Sequence, residues 1–188
     1  MKYIFSILIL FLFFGCLSQS DEEACANGNY KKCTKLGTAY IYGQGVGKDE
    51  KKAFDFYTKS CNGNDLAGCY SLGLMHFRGV GVEKNPFIAN DLFLKTCNNG
   101  SALGCTTIGY SYADGVGVDK IDHEKALKYF MKGCNDGDDL GCAKVGEAYE
   151  KGLGTAKNIT KAKQFYKKAC DDGLEEACED YKNLLKSS

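Results

Sequence analysis

The sequence lacks an excess of charge of either sign. Its 24 lysine and arginine residues are balanced by 24 aspartate and glutamate residues, and the two signs are interspersed along the chain. No basic face is therefore expected that would attract a phosphate backbone. We predict that nucleic acid is not a partner of this protein.

Histidine is also scarce. The chain has two histidines, His76 and His123, far apart in the sequence, whereas a catalytic zinc site needs several ligands close together. No C-x2-C pair occurs, so the spacing typical of thioredoxin-like redox sites and zinc ribbons is missing. We therefore predict no metal and no other cofactor. We interpret His76 as a packing residue of a helix and His123 as a solvated residue at a helix start.

Cysteine, in contrast, is abundant. Eleven cysteines in 188 residues are too many for a reduced cytosolic protein of this size, and they indicate an oxidising compartment. After Cys16, the other ten fall into pairs eight positions apart. This regular spacing predicts five local disulfides: Cys25–Cys33, Cys61–Cys69, Cys97–Cys105, Cys134–Cys142 and Cys170–Cys178.

The N-terminus has the pattern of an export signal. Lys2 precedes an almost unbroken apolar run over residues 3–14, and small residues follow. We predict a signal peptide over residues 1–20, with cleavage after Ser20. The alternative is a lipoprotein signal that ends before Cys16, which would leave a lipid anchor on that residue. The mature chain is expected to contain no transmembrane span and to be secreted or periplasmic in a bacterium, or an outer-membrane lipoprotein if Cys16 is lipidated.

The paired cysteines mark an internal repeat. The first cysteine of each pair recurs at spacings of 36, 36, 37 and 36 residues, and a fixed period of this length is typical of solenoid arrays. We predict one repeat domain over residues 21–188. Its units are 25–60, 61–96, 97–133 and 134–169, followed by a C-terminal cap over 170–188.

Each unit has the pattern of two helices. Counted from the second cysteine, an apolar residue, a glycine and an aromatic or imidazole residue follow at offsets 3, 4 and 7, which lie on one face of a helix. The glycine indicates a place where a neighbouring helix approaches the backbone closely. The predicted first helices are Lys31–Tyr42, Leu66–Arg78, Ala102–Asp114 and Asp139–Lys151.

Paired glycines end each first helix, because glycine accepts the left-handed cap conformation. A second helix then starts near Asp49, Asn85, Asp122 and Asn158 and continues to the next cysteine. Residues 21–27 are interpreted as the stub of a second helix and residues 174–186 as a capping helix. The predicted fold is all-α, a right-handed αα-solenoid in which a disulfide clips each helix pair.

One sequence phrase recurs in the units and resembles a Sel-1-like repeat, a relative of the tetratricopeptide repeat (TPR). This phrase is LG-x2-Y/H-x2-G-x-GV/L … KA-x2-FY-x-K-x-C-x2-G-x4-C. With a C-x7-C pair in every unit, it is similar to the Helicobacter cysteine-rich protein family, over about residues 22–185. This resemblance implies a disulfide-clipped αα-superhelix in the periplasm or outside the cell. It also implies a penicillin-binding or weak β-lactamase activity, the label commonly attached to that family.

The motifs of serine β-lactamases are missing from this sequence. Such enzymes use a serine with a lysine three positions later and a K-T-G triplet, and neither S-x-x-K nor K-T-G occurs. The nearest segment, residues 160–163, is better interpreted as the first turn of a helix. Whether the protein is an enzyme therefore stays open at this point, and no catalytic residue is assigned.

A binding surface is the other hypothesis. Offsets 2, 5 and 9 lie opposite the packing face of each first helix, and they vary from unit to unit where the packing positions recur. Stacked units would line a concave groove with these residues, suited to a peptide, a protein or a peptidoglycan-like cell-wall ligand. The predicted groove residues are Lys35, Thr38, Tyr42, Ser71, Leu74, Arg78, Thr107, Tyr110, Asp114, Lys144, Glu147 and Lys151.

Overall fold

The structure, a computed structural model, describes residues 20–186, and all regular secondary structure in that range is helical. The helices are α1 (residues 20–26 in the described part), α2 (Tyr30–Tyr42), α3 (Glu50–Asn62), α4 (Leu66–Arg78), α5 (Pro86–Asn98), α6 (Ala102–Asp114), α7 (His123–Asn135), α8 (Asp139–Lys151), α9 (Ile159–Asp171) and α10 (Glu175–Lys186). Apart from Ser20, the predicted signal peptide lies outside the described residues, and so does the candidate lipid-anchor residue Cys16.

The described residues divide into two compact bodies, one up to Asn85 and one from Pro86 onward. We call them the N-terminal body, with α1 to α4, and the C-terminal body, with α5 to α10. Within each body, consecutive helices pack against one another. The predicted all-α fold class is confirmed: the described chain is an array of helix pairs joined by disulfides.

Five disulfides join the end of one helix to the first turn of the next. Their Cα atoms are 4.3 to 4.9 Å apart. In the second repeat, Cys61 near the end of α3 is bonded to Cys69 in the first turn of α4, and both side chains are buried. The bonds are Cys25–Cys33, Cys61–Cys69, Cys97–Cys105, Cys134–Cys142 and Cys170–Cys178.

The helix boundaries follow local capping chemistry. The side chain of Asp49 accepts a hydrogen bond from the Lys52 backbone N–H at 2.9 Å and starts α3, as expected for an N-cap aspartate. At the ends of the first helices, Gly43 follows α2 and Gly79 follows α4, with φ of 68° and 73°. These are the left-handed caps that the paired glycines predicted.

The turn between α3 and α4, at the start of the second repeat, uses asparagine where the other turns use glycine. The φ of Asn64 is 62°, the only positive φ of a non-glycine residue in the described chain. The corresponding turns hold Gly28, Gly100, Gly137 and Gly173, with φ of 90° to 110°. Asparagine tolerates this region better than most residues because its short polar side chain can bond locally. The turn therefore keeps its geometry without a glycine.

The glycine stripe of the first helices does mark a close approach, and the approaching group is an aromatic ring. A Cβ atom on Gly37 would lie 2.7 Å from Cδ1 of Tyr57 on α3. A Cβ on Gly109 would lie 2.6 Å from Cδ1 of Phe130 on α7. The second helix of each of these pairs therefore packs its ring directly onto the backbone of the first helix, which explains why alanine does not occur there.

A lysine two positions before the first cysteine of a pair links successive repeats, a role that the K-x-C phrase alone did not reveal. On α7, Lys132 Nζ donates to the Cys97 carbonyl at 2.7 Å and lies 3.3 Å from Cys105 Sγ. On α9, Lys168 Nζ donates to the Cys134 carbonyl at 3.0 Å. These carbonyls lie at helix C-termini, where the partial negative charge favours a cation. The lysine thus ties one disulfide-clipped turn to the next second helix.

None of the helices within residues 20–186 combines the length and the apolar character that crossing a membrane requires.

Candidate ligand-binding surface

Most of the predicted groove residues of the N-terminal body line a single open cavity of about 250 Å³. Thr38 and Tyr42 reach it from α2, and Ser71, Leu74 and Arg78 reach it from α4. The rest of the lining is apolar or aromatic and consists of Ile41, Tyr57, Met75 and Val80. The structure therefore brings five of the six predicted residues of this body together.

Lys35, the sixth predicted residue of the N-terminal body, does not line this cavity. Its Nζ lies 2.7 Å from Oδ2 of Asp21, and Nζ of Lys32 lies 2.6 Å from Oδ1 of the same carboxylate. The hydrogen bonds from Lys32 and Lys35 lower the pKa of Asp21. Lys35 therefore helps to hold α1 against α2, and its charge is engaged within the chain.

The polar groups of this cavity differ in how far the protein itself satisfies them. The Thr38 hydroxyl donates to the Thr34 carbonyl at 3.1 Å and lies 3.0 Å from the Tyr57 hydroxyl. Tyr42 is 70% exposed. Within the described residues, the side chains of Ser71 and Arg78 form no hydrogen bond or ion pair. The cavity thus offers the hydroxyl groups of Ser71 and Tyr42 and one guanidinium group to a ligand.

The C-terminal body also brings most of its predicted residues together. Tyr110, Lys144 and Glu147 line two neighbouring cavities of about 190 Å³ and 440 Å³. Asp114 lines the smaller cavity and Lys151 the larger one. Thr107 lines neither of the two; its hydroxyl donates to the Leu103 carbonyl at 2.8 Å.

The charges of these C-terminal residues are largely neutralised by one another. Glu147 accepts hydrogen bonds from Lys144 at 2.7 Å and from Lys151 at 2.6 Å. Burial alone would raise the pKa of Glu147, but these two hydrogen bonds outweigh it and lower that pKa. Lys144 Nζ also lies 5.6 Å from the centroid of the Tyr110 ring, a cation–π distance.

The far end of the larger cavity is acidic. Glu150, Glu176 and Asp180 line it, and the Tyr166 hydroxyl donates to Glu150 at 2.8 Å. Burial and then the neighbouring Glu150 and Glu176 raise the pKa of Asp180. No cluster of three or more histidine, cysteine, aspartate or glutamate side chains in the described chain is arranged to hold a metal ion.

Another cavity, of about 280 Å³, was not anticipated from the sequence. It lies beside the loop between α6 and α7, which is one residue longer than its counterparts, and Asn90 lines it. The buried Asn90 amide donates to the carbonyls of Val116 and Gly117 at 2.8 and 2.7 Å, and its oxygen accepts from the Ser111 hydroxyl at 2.7 Å. Because Asn90 has no equivalent in the other repeats, no periodic pattern marks it.

The two histidines are in different environments. His76 packs edge-on against Phe54 at 5.5 Å between ring centroids, and its Nδ1 atom is buried without a hydrogen-bond partner. This is the packing role predicted for it. His123 is the first residue of α7 and lines the 190 Å³ cavity of the C-terminal body, where it is half-buried.

Burial of His76 makes stability depend on pH, and we expect His76→Tyr to weaken that dependence. Burial lowers the pKa of His76, so the unfolded chain, with a pKa of about 6.5, binds the proton first as the pH falls. The free energy of unfolding should thus decrease below about pH 6.5, down to the lowered pKa of the folded state. Urea unfolding at about pH 7.5 and about pH 5.5 should show a loss in wild type that exceeds the loss in His76→Tyr by roughly 0.5 kcal/mol.

His123→Gln, which removes the other histidine, is the matched control for this experiment. Tyrosine is the natural replacement at position 76, because Tyr40, Tyr112 and Tyr149 occupy it in the other repeats and stack on rings of the second helices. Equal pH dependence of stability in the His76 and His123 variants would contradict the assignment of this dependence to His76.

Comparison with known protein families matches most of the chain. A model of the Sel1 repeat matches residues 33–65, 66–101, 102–138 and 140–174. The matched segments together cover more than half of the sequence. No protein in the curated collections matches the chain.

Several solved structures resemble this one. A protective antigen of uropathogenic Escherichia coli with an SLR fold superposes with a TM-score of 0.85 at 22% identity, covering 90% of this chain and 36% of that one. A Sel1 repeat protein from Oxalobacter formigenes has a TM-score of 0.75 at 27% identity, covering 81% and 60%. Cysteine rich protein B of Helicobacter pylori has a TM-score of 0.56 at 35% identity, covering 70% and 94%. The chain thus spans less than two thirds of the first two proteins, and the first likeness shows the fold alone.

Proposed function

This protein belongs to the Sel1 repeat family, and we propose that it is an exported, disulfide-stapled scaffold that binds a peptide, protein or cell-wall ligand. The observation that supports this proposal most directly is the position of the variable residues. Ten of the twelve predicted groove residues line cavities within one body or the other. Positions that pack the fold recur from repeat to repeat, whereas the residues that line these cavities differ, which is the pattern of a surface adapted to a ligand.

The disulfides support the exported location. Five disulfides persist only in an oxidising environment, and each joins cysteines that are consecutive in the described chain. The likeness to cysteine rich protein B of Helicobacter pylori, at 35% identity, supports the narrower view that this is a cysteine-rich member of the family. Export by a signal peptide over residues 1–20 is part of the same proposal. Its alternative is a lipoprotein signal that ends before Cys16 and leaves a lipid anchor on that residue.

Site-specific photo-crosslinking in the native host tests the binding surface. A photoreactive p-benzoylphenylalanine is placed at position 42, where Tyr42 lines the N-terminal cavity and is 70% exposed. The control position is Leu185, which is 51% exposed on α10 and lines none of the cavities described above. We expect one discrete adduct from position 42 and none from position 185. Equal labelling at both positions, or none at either, would contradict the proposal.

The alternative function is β-lactam recognition or hydrolysis. The N-terminal cavity contains one serine, Ser71, and no lysine or histidine lines it, so the proton acceptor that activates such a serine is missing from its lining. We therefore expect extensively purified protein to turn over nitrocefin no faster than the blank. Turnover that persists through purification and is lost in Ser71→Ala would replace the scaffold proposal with an enzyme.

A further inference from the structure

The N-terminal cavity contains the only arginine of the chain. Apart from the two histidines, all other basic residues are lysines. Arg78 stands at the end of α4 with its side chain exposed and lines the cavity beside Ser71 and Leu74. Arginine presents a planar fork of N–H donors that matches a carboxylate in two parallel hydrogen bonds, which lysine cannot do. The choice of residue at this position therefore favours a planar anion.

Arg78 also lacks an internal partner. It forms no ion pair or side-chain hydrogen bond with another residue in the described part of the chain, and no aspartate or glutamate lines the cavity. The C-terminal body provides an internal comparison, because Lys151 occupies the same position of its repeat and is bound to Glu147 at 2.6 Å. The cation is thus neutralised within the chain in one repeat and left available in the other.

The remaining lining is apolar or aromatic. Ile41 and Tyr42 from α2 and Leu74 and Met75 from α4 contribute carbon surface, and Val80 completes it. A volume of about 250 Å³ accommodates one or two large side chains, more than the methyl groups of an alanine dipeptide would fill. The charge and the apolar lining of the cavity together favour a ligand with a carboxylate next to a bulky apolar group.

We propose that this cavity binds the C-terminus of a protein chain, with the terminal carboxylate held by Arg78 and a large apolar side chain against Leu74 and Met75. This inference rests on the proposed scaffold function and specifies the chemistry of its ligand. Ser71 supplies a hydroxyl donor two turns before Arg78 on α4, and Tyr42 adds an exposed ring to the lining of the cavity. Partners are then chains that end in a leucine, phenylalanine or similar residue.

Titration of the ¹⁵N-labelled protein by NMR tests the proposal with defined probes. The first probe is acetyl-Gly-Gly-Leu-Phe with a free C-terminal carboxylate, and its control is the same peptide with a C-terminal amide. We expect amide shifts confined to residues around Thr38, Ser71 and Arg78, and binding of the carboxylate form that is at least about tenfold tighter than binding of the amide form. Equal binding of the two peptides would overturn the proposal.

Variants separate the guanidinium group from positive charge in general. Because Arg78 has no internal partner, Arg78→Met should melt as the wild type does and should weaken binding of the carboxylate peptide about tenfold. Arg78→Lys should recover only part of that loss, since it keeps the charge and loses the fork. Lys151→Met is the matched control in the C-terminal body and should bind as the wild type does. Unchanged binding by Arg78→Met would overturn the proposal.

The third probe, acetyl-D-Ala-D-Ala, represents the peptide of a bacterial cell wall. If the protein binds this probe more tightly than acetyl-Gly-Gly-Leu-Phe, the choice of a protein C-terminus as the ligand is overturned. Failure of the carboxylate proposal is distinguishable from failure of the scaffold proposal. If position 42 yields an adduct in the host but none of the three probes shifts the cavity, the scaffold proposal stands and the carboxylate proposal fails. If position 42 yields no adduct, the scaffold proposal fails whatever the probes do.

Discussion

Replacing Cys97 and Cys105 together by alanine is expected to lower the free energy of unfolding by about 2.5 kcal/mol and the melting temperature by roughly 5–10 °C. The bond closes a short loop between α5 and α6, and releasing that loop restores conformational freedom to the unfolded chain. Both side chains are fully buried, so the alanines also leave small voids. Differential scanning calorimetry under oxidising conditions measures the effect.

Full reduction provides the control for the disulfide variant. Wild type and the double variant should both melt at a lower temperature in a strong reductant. The difference between their melting temperatures should narrow, because the Cys97–Cys105 bond is then absent from both. The Cys97 carbonyl still accepts a hydrogen bond from Lys132 in the variant, since that contact uses the backbone. A double variant that melts with the wild type under oxidising conditions would contradict a stabilising role for the local disulfides.

Gly117→Ala is expected to destabilise the protein by about 3 kcal/mol through two separate costs. The φ of Gly117 is 65°, in the left-handed region that costs an alanine about 1–2 kcal/mol. A Cβ atom there would also overlap the Pro86 carbonyl and lie 2.7 Å from Nδ2 of Asn90. The overlap would displace the loop that Asn90 holds through its bonds to Val116 and Gly117. Urea unfolding should show the midpoint moving down with little change in slope.

Gly137→Ala is the matched control for the glycine experiment. Gly137 also has a positive φ, 100°, but an added Cβ would meet no atom within 4 Å. It therefore isolates the backbone cost, and we expect a loss of roughly 1–2 kcal/mol. If the two alanine variants lose the same stability, the close approach of the loop to Pro86 contributes nothing and the packing described for that loop is wrong.

The fold could be predicted in detail because its determinants are local and repeat. The cysteine pairs, the helix-ending glycines and N-cap residues such as Asp49 and Asn158 each act within a few positions, so the period reveals them. Predicted and observed boundaries agree within one residue at α2, which begins at Tyr30, and at α10, which begins at Glu175. The ring against Gly37 was foreseen only as a close approach, because the sequence does not show which atom of the neighbouring helix arrives there.

The candidate site could be predicted only in outline. Helical offsets indicated which residues face away from the packing stripe, but ion pairs depend on distances that the period does not contain. Lys35 is engaged by Asp21 on another helix, and Lys144 and Lys151 are engaged by Glu147. Arg78 has the same predicted orientation as these lysines, but it lacks a partner among the described residues. The charge of Arg78 is therefore available to a ligand, whereas the charges of these lysines are neutralised within the chain. Only the structure reveals this difference.

Thiol labelling of the protein taken from its own host tests the central claim most directly, because an exported stapled scaffold requires oxidised cysteines. The protein is alkylated without reductant, then reduced and alkylated with a second, isotopically distinct reagent, and its cysteine peptides are analysed by mass spectrometry. We predict that all ten cysteines from Cys25 to Cys178 carry only the second label, and that unreduced fragments link each cysteine to the one eight positions away. First-label modification of these cysteines, or fragments linking different pairs, would contradict the disulfide-stapled scaffold and with it the exported location.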